Sequence, residues 1–396
     1  MKILIVSQHF YPEEFRINDI AVELVNRGHS VDVVTGLPNY PKGEIFEGYE
    51  KKLFENYLGV NVYRTKIRPR HTGSLNLFRN YMSFMNKAKK TVCGLTGPYD
   101  IIFSYETSPV YQIVPAIKAK KVFKAPLVCM CCDQWPESLK ARGLEKGPIF
   151  KIISSQCKKI YNSCDYIINT SPSFVEYNNR TNKVPLEKMC WHQQHAEDNF
   201  ANVDTKKEPS DIVDLMFAGN IGKVQNVSDI ILAYNELKYP DLRIHIFGDG
   251  SSFDDCKKLI DDLKLGENVI LYGRVSNQDL KKYYKNMDAC LLTLSGKTAI
   301  GNTIPSKLQG YMSARKMVIG AINGDSRLII DEAKCGIYTD ADDFKKLAKL
   351  IDIYYKNKNK YIECGSNGRN YFEKNCSLSS FVDFLEGAFK STKELY

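Results

Sequence analysis

The stretch Asp214-Leu-Met-Phe-Ala-Gly-Asn-Ile-Gly222 decides the fold of this chain. Its apolar run, Leu215 to Ala218, ends in a loop, Gly219 to Gln225. Val227 to Leu237 then places apolar residues at helical spacing, and Leu242 to Phe247 is a second apolar run closed by Gly248-Asp-Gly250. A helix-period segment between two short strand-like runs is a β-α-β unit. The same theme opens the chain: Lys2 to Val6 reads as a strand and Ser7 to Arg16 as a polar loop. Ile17, Ile20, Ala21, Leu24 and Val25 then mark a helix that stops at Gly28, before the strand Ser30 to Thr35. Two such openings in 396 residues predict an α/β protein of two doubly wound domains. Each has a parallel sheet, and the two face a central cleft into which the strand-end loops project.

Further strands are predicted at Ile101 to Ser104, Leu127 to Cys132 and Tyr166 to Asn169, and in the second half at Val269 to Tyr272, Ala289 to Leu294 and Val318 to Ala321. The polar run His195 to Ile212 reads as a linker, and Asp342 to Tyr355 and Leu378 to Leu395 as helices. The expected domains are therefore residues 1–197, residues 198–377 and a closing helix, 378–396, that packs back on the first domain.

No apolar run approaches the roughly 18 residues of a membrane span, and the start of the chain reads as a strand rather than a leader. The chain is therefore expected in the cytoplasm. Twelve cysteines include Cys129, Cys131 and Cys132 in one apolar run, with no pair of CxxC motifs, so small buried hydrophobes are expected and no metal site. The net charge of +9 is concentrated: between Lys51 and Gly97 there are ten Lys or Arg and one acid, Glu55. Within that segment Arg68 and Arg70 precede an apolar-rich helical stretch holding Leu77, Phe78, Arg79, Tyr81, Met82 and Lys87. Cationic flanks on an apolar helix suit an anionic membrane surface. No nucleic-acid motif accompanies the charge, and nucleic acid is not an expected partner.

A second motif carries chemistry. In Gly301-Asn-Thr-Ile-Pro-Ser-Lys-Leu-Gln-Gly310, a helix begins at Pro305-Ser306 with Lys307 just inside it. A helix N-terminus favours a phosphate, and a cation there points to an anionic ligand.

With these motifs in order, the sequence resembles the GT-B glycosyltransferases of family four, in the branch that builds capsule, O-antigen and exopolysaccharide units and contains N-acetyl-fucosaminyl transferases. The resemblance runs from Met1-Lys-Ile-Leu-Ile-Val and Phe10-Tyr-Pro-Glu through Thr35-Gly-Leu-Pro-Asn-Tyr-Pro, Thr107-Ser-Pro and Asp133-Gln-Trp-Pro-Glu-Ser. It continues in Phe217-Ala-Gly-Asn-Ile-Gly, Phe247-Gly-Asp-Gly, Gly273-Arg-Val and the Pro305-Ser-Lys helix.

The resemblance implies a hexosyltransferase that retains anomeric configuration, using no cofactor or metal. A nucleotide sugar, expected to be a UDP-sugar, is held by the C-terminal domain, and a lipid-linked saccharide by the N-terminal one, at the cytoplasmic face of the inner membrane. Asp133, Lys307 and Lys223 are then the expected catalytic residues. Gly219, Asn220, Gln225, Gly248, Arg274, Val275, Asn302, Ser306 and Gln309 would bind the donor, and Arg16, Asn18, Glu106, Trp135 and Glu137 the acceptor. The chain departs from the family at four points: its usual acidic pair falls on Asn302 and Gly310, and its usual phosphate-binding Arg and Lys on Asn220 and Gln225. A nucleotide-sugar 2-epimerase of the same fold and a catalytically weak nucleotide-sugar-binding protein are the alternatives. A dinucleotide dehydrogenase is disfavoured because neither first loop contains GxGxxG.

Overall fold

A computed structural model describes residues 1–396 apart from positions 72, 145, 238, 298–300 and 302. The chain forms two compact units, Met1–Gln194 with Leu378–Tyr396, and His195–Ser377.

The first unit runs β1 (Lys2–Val6), α1 (Ile17–Asn26), β2 (Ser30–Gly36), β3 (Phe54–Tyr57), β4 (Val60–Thr65), α2 (Ser74–Cys93), β5 (Ile101–Glu106), α3 (Val114–Phe123), β6 (Leu127–Cys131), α4 (Pro148–Asn162), β7 (Tyr166–Asn169), α5 (Pro172–Asn182) and β8 (Met189–Trp191). Its eight-stranded sheet has the order β3-β4-β2-β1-β5-β6-β7-β8. Only β3, at the edge, pairs antiparallel among the described pairings. The Ile3-Leu-Ile-Val6 and Leu127-Val-Cys-Met-Cys131 runs are buried along their length, as strands covered by helices on both faces require. The order reverses between β1 and β5, where such sheets open a crevice.

The second unit runs β9 (Val213–Ala218), α6 (Ser228–Leu237), β10 (Leu242–Phe247), α7 (Phe253–Asp262), β11 (Val269–Gly273), α8 (Asn277–Lys285), β12 (Ala289–Thr293), α9 (Ser306–Ser313), β13 (Met317–Ala321), α10 (Asp325–Ala333), β14 (Gly336–Thr339), α11 (Phe344–Lys356) and α12 (Cys364–Asn375). Its all-parallel sheet has the order β11-β10-β9-β12-β13-β14 and reverses between β9 and β12. There the two strands pair only at Leu215 with Ala289 and Met216 with Cys290. Beyond that register, α9 fills the gap: the Tyr311 hydroxyl accepts from the Ala218 N–H at 3.1 Å.

The stretch read as a linker is fastened to the second unit. Asp198 takes two bonds of 2.6 Å from the Arg369 fork, Thr205 donates to the Ala314 carbonyl at 2.7 Å, and Lys207 lies between Asp214 and Asp288 at 2.7 and 2.5 Å. Its polar residues are the partners of charges in that unit, so polarity there did not mean a free connection.

The last helix, α13 (Leu378–Leu395), belongs to the first unit. Phe381, Val382, Leu385 and Phe389 are fully buried in the core that holds Ile20 and Leu24 of α1. Arg27 at the end of α1 meets Asp383 at 2.5 Å and Glu386 at 3.0 Å.

Candidate active site

At the C-terminal edge of the second sheet, three strand ends are stitched together. The Gly219 N–H donates to the Phe247 carbonyl at 2.9 Å, and the Gly248 N–H to the Gly273 carbonyl at 2.8 Å. Gly248 has φ +134°, and a Cβ there would lie 1.8 Å from the Gly219 carbonyl oxygen. Only glycine permits that approach. The stitching leaves a concavity of about 370 Å³ lined by Gly219, Asn220, Phe247, Gly248, Asp249, Arg274, Val275 and Leu280. The Asn220 amide donates to Gln225 at 2.9 Å across the loop. Five of the expected donor residues, Gly219, Asn220, Gly248, Arg274 and Val275, therefore share one wall, with Gln225 tied to it.

Lys307, in the first turn of α9, runs against the bare face of Gly219. A Cβ on Gly219 would lie 2.1 Å from Lys307 Cε and 2.9 Å from Nζ. The ammonium stands 5.1 Å over the Phe217 ring and meets no oxygen acceptor among the described residues. Burial alone lowers its pKa to about 8. The contrast is Lys316, also lowered to about 8 by burial, whose Nζ is bonded to the carbonyls of Thr205 at 2.5 Å and Met287 at 2.6 Å. Lys316 is satisfied by structure, whereas Lys307 is a desolvated cation with no counterion among the described residues. A cation so placed at a helix N-terminus, beside a side-chain-free strand end, favours an anionic ligand.

The other expected donor residues divide. Ser306 is exposed at the start of α9, while Gln309 is buried and thus withdrawn from the concavity wall. Asn302 lies outside the described residues. Lys223 does not join Lys307: it is exposed at the loop tip and lines a separate concavity with Gly222, Asn226, Ser228 and Asp255. The Asn220–Gln225 bond closes the loop beneath it, so expecting the two lysines to act together needs correction. Gly310 faces open space: beyond its own helix, no atom of the described residues lies within 4 Å of a Cβ built on it.

The first unit corrects three more expectations. Asp133, expected in catalysis, has both oxygens occupied by its own loop: Trp135 Nε1 donates to Oδ2 at 3.0 Å, and Ser138 Oγ and the Gln134 N–H donate to Oδ1 at 2.5 and 2.9 Å. Trp135 is buried and anchors that loop rather than an acceptor. Glu106 is fully enclosed at the end of β5, where burial first and Asp133 second hold its carboxyl well above the ordinary range. This carboxyl belongs to the core rather than to an acceptor contact. Its proton is lost on unfolding above the ordinary glutamate pKa, so this group makes stability fall as pH rises. In Glu106→Gln the fall in melting temperature between about pH 5 and pH 8 is expected to be shallower, by roughly 2–4 °C, in calorimetry at both pH values.

Of the remaining acceptor candidates, Asn18 uses its amide inside the loop, accepting from the Tyr11 N–H at 2.9 Å and donating to the Glu13 carbonyl at 2.7 Å. Arg16 is half-buried at the start of α1, and Glu137 lies beside the buried Tyr177 phenol. In the basic segment, Leu77 and Tyr81 are buried on the inner face of α2 and cannot touch a membrane. Arg68, Phe78, Arg79 and Lys87 are exposed, Met82 is half-buried, and Arg70 packs over the Tyr40 ring.

Sequence reasoning missed one pair. His9 Nδ1 and Glu13 Oε2 are 2.8 Å apart in the loop after β1, both residues buried, and Glu13 Oε1 accepts from the N–H groups of Asn39 and Tyr40 at 2.8 and 2.7 Å. The His-x3-Glu spacing in a strand-end loop was the available signal.

The fold is shared with solved glycosyltransferases. HepE of Anabaena, solved in complex with UDP, superposes with a TM-score of 0.71 at 15% identity, over 99% of this chain and 100% of that one. Two parallel-sheet units with this neighbour define a GT-B fold. An uncharacterized glycosyltransferase of Methanocaldococcus jannaschii is 24% identical over 74% of this chain and 74% of its own length. WcaI of Escherichia coli, named for colanic acid biosynthesis, is 23% identical over 79% and 81%. Residues 14–190 match Glycosyltransferase Family 4 and residues 199–371 match Glycosyl transferases group 1. The chain is a GT-B glycosyltransferase that joins a Family 4 domain to a group 1 domain.

Proposed function

We propose that this glycosyltransferase moves a hexose, N-acetylated or deoxygenated, from a UDP-sugar to an undecaprenyl-diphosphate-linked saccharide in surface polysaccharide synthesis, with retention, as in the N-acetyl-fucosaminyl branch. The observation that carries the donor side is the Lys307 ammonium, unpaired among the described residues and lodged between Gly219 and the Phe217 ring at the start of α9. Charge develops on the diphosphate as the sugar leaves, and a preorganised cation with a helix N-terminus stabilises it. The second unit then holds the donor, with the nucleotide along Gly248, Arg274 and Val275. The first unit takes the acceptor at the membrane, supported by the exposed cations of α2; no helix of the described residues is long and apolar enough to cross a bilayer.

The test is a panel of nucleotide sugars with and without lipid-linked acceptor, reading nucleotide release and product mass. Acceptor-dependent release of UDP and a sugar-extended lipid of retained configuration are expected. Epimerised donor without acceptor would replace this reading with that of an epimerase, and binding without turnover would leave a binding protein.

Gly310 stands where the family grips ribose with a carboxylate. The open space there predicts that Gly310→Glu is accommodated, stabilises α9 by roughly 0.5–1 kcal/mol, and tightens the donor Kd several-fold. Titration calorimetry with the preferred nucleotide sugar checks it. An unchanged Kd would place the ribose elsewhere.

A further inference from the structure

The first unit carries a groove of about 520 Å³ between α2 and α4. Phe78 and Met82 of α2 form one wall, Ile149, Ile152 and Ile153 of α4 the other, and Val114 contributes to the floor. Its rim is unusually bare of cover: Phe78 is 50% exposed, Ile149 60% and Ile152 58%. Scattered single exposures of this kind are ordinary, but three bulky apolar residues around one groove form a patch that marks an interaction site.

The charge around the patch selects the partner. α2 carries Arg79, Lys87, Lys89 and Lys90, and α4 carries Lys151, Lys158 and Lys159; neither helix contains an Asp or Glu. Apolar side chains at the crest with cations beside them match the layering of an anionic leaflet, acyl chains inside and phosphate outside.

We infer that α4 joins α2 in one membrane-docking face, and that the groove between them receives a hydrocarbon chain of an anionic leaflet. This rests on the membrane reading of α2 given above and extends it to α4, which the sequence did not single out. Ile149 and Ile152 enter the acyl layer beside Phe78, while Lys151 and Lys159 meet headgroups.

Co-sedimentation with vesicles tests this, comparing phosphatidylglycerol in phosphatidylcholine with phosphatidylcholine alone. The wild-type protein is expected to bind the anionic vesicles at least about tenfold better, and to lose that preference in high salt. The double substitution Ile149→Ser with Ile152→Ser, at exposed positions that leave the core intact by circular dichroism, is expected to reduce anionic-vesicle binding by about tenfold or more. An added tryptophan, Ile152→Trp, is expected to be quenched by lipids brominated in the acyl chain. Failure of the wild-type protein to bind would remove the membrane reading and this inference together. If Phe78→Ser releases the protein but the α4 double substitution does not, the membrane reading stands and the two-helix face is overturned. A dimer in sedimentation equilibrium that the α4 substitutions dissolve, with vesicle binding unchanged, would make the face a contact between copies and equally overturn it.

Discussion

Lys307→Met is expected to lose at least about tenfold in kcat/KM, about 1.4 kcal/mol of transition-state stabilisation, while the protein becomes more stable. Both effects follow from one fact: the ammonium is desolvated and has no counterion among the described residues, with its pKa lowered to about 8. The unfolded chain holds that proton up to the ordinary lysine value, so wild-type stability rises with pH between about 8 and 10.5 as the folded state sheds its costly charge. Below pH 8 the penalty is fully present. Methionine removes it, and a gain of roughly 1–3 kcal/mol is expected at neutral pH, shrinking above pH 8. A diphosphate restores the missing counterion, so wild-type donor affinity should fall as pH rises through about 8. Thermal melts at several pH values, with donor titrations alongside, check each part. A Met variant that is less stable and fully active would make Lys307 a packing residue.

Gly248→Ala is expected to be strongly damaging to the second unit. Its methyl group would stand 1.8 Å from the Gly219 carbonyl oxygen, which is backbone and cannot swing aside, at φ +134°. Strain of this kind costs roughly 1–3 kcal/mol, and relief requires the ends of β9 and β10 to separate. Separation widens the concavity and carries Gly219 away from Lys307. A fall in melting temperature together with loss of donor binding is therefore expected. Gly219→Ala is the informative partner, because its methyl group meets Lys307 Cε at 2.1 Å, the flexible end of a side chain. It should lose donor affinity with a smaller loss of stability. Equal stability losses in the two would mean that the lysine is not the group displaced.

The first β-α-β opening was legible because its pattern is local. Lys2 to Val6 and Leu378 to Leu395 coincide with β1 and α13, since a buried strand and an amphipathic helix are written in the period of their apolar residues. The hairpin of β3 and β4, and the short β8 and β14, were not read; they are only partly buried and lack the continuous apolar run that marks β1.

The site was half legible for a related reason. Glycines ending β9 and β10, and a lysine opening α9, are marked by residue type alone. Glu106, Asp133 and Trp135, which the resemblance puts at the site, lie at or just after strand ends. What a strand-end side chain does, however, depends on whether its loop turns it outward or inward. Glu106 went into the core and Asp133 into its own loop's hydrogen bonds.

The sequence by itself determined the class of fold, two parallel-sheet units, and the place of Lys307 at the start of α9, because apolar period, glycine and helix start are local properties of the chain. The tertiary structure alone decided which charges are satisfied. Lys316 is buried and Lys307 half-buried near α9, yet only the packing of Thr205 and Met287 against Lys316 makes it structural. Long-range contact sets that difference, and it leaves Lys307 unpaired among the described residues.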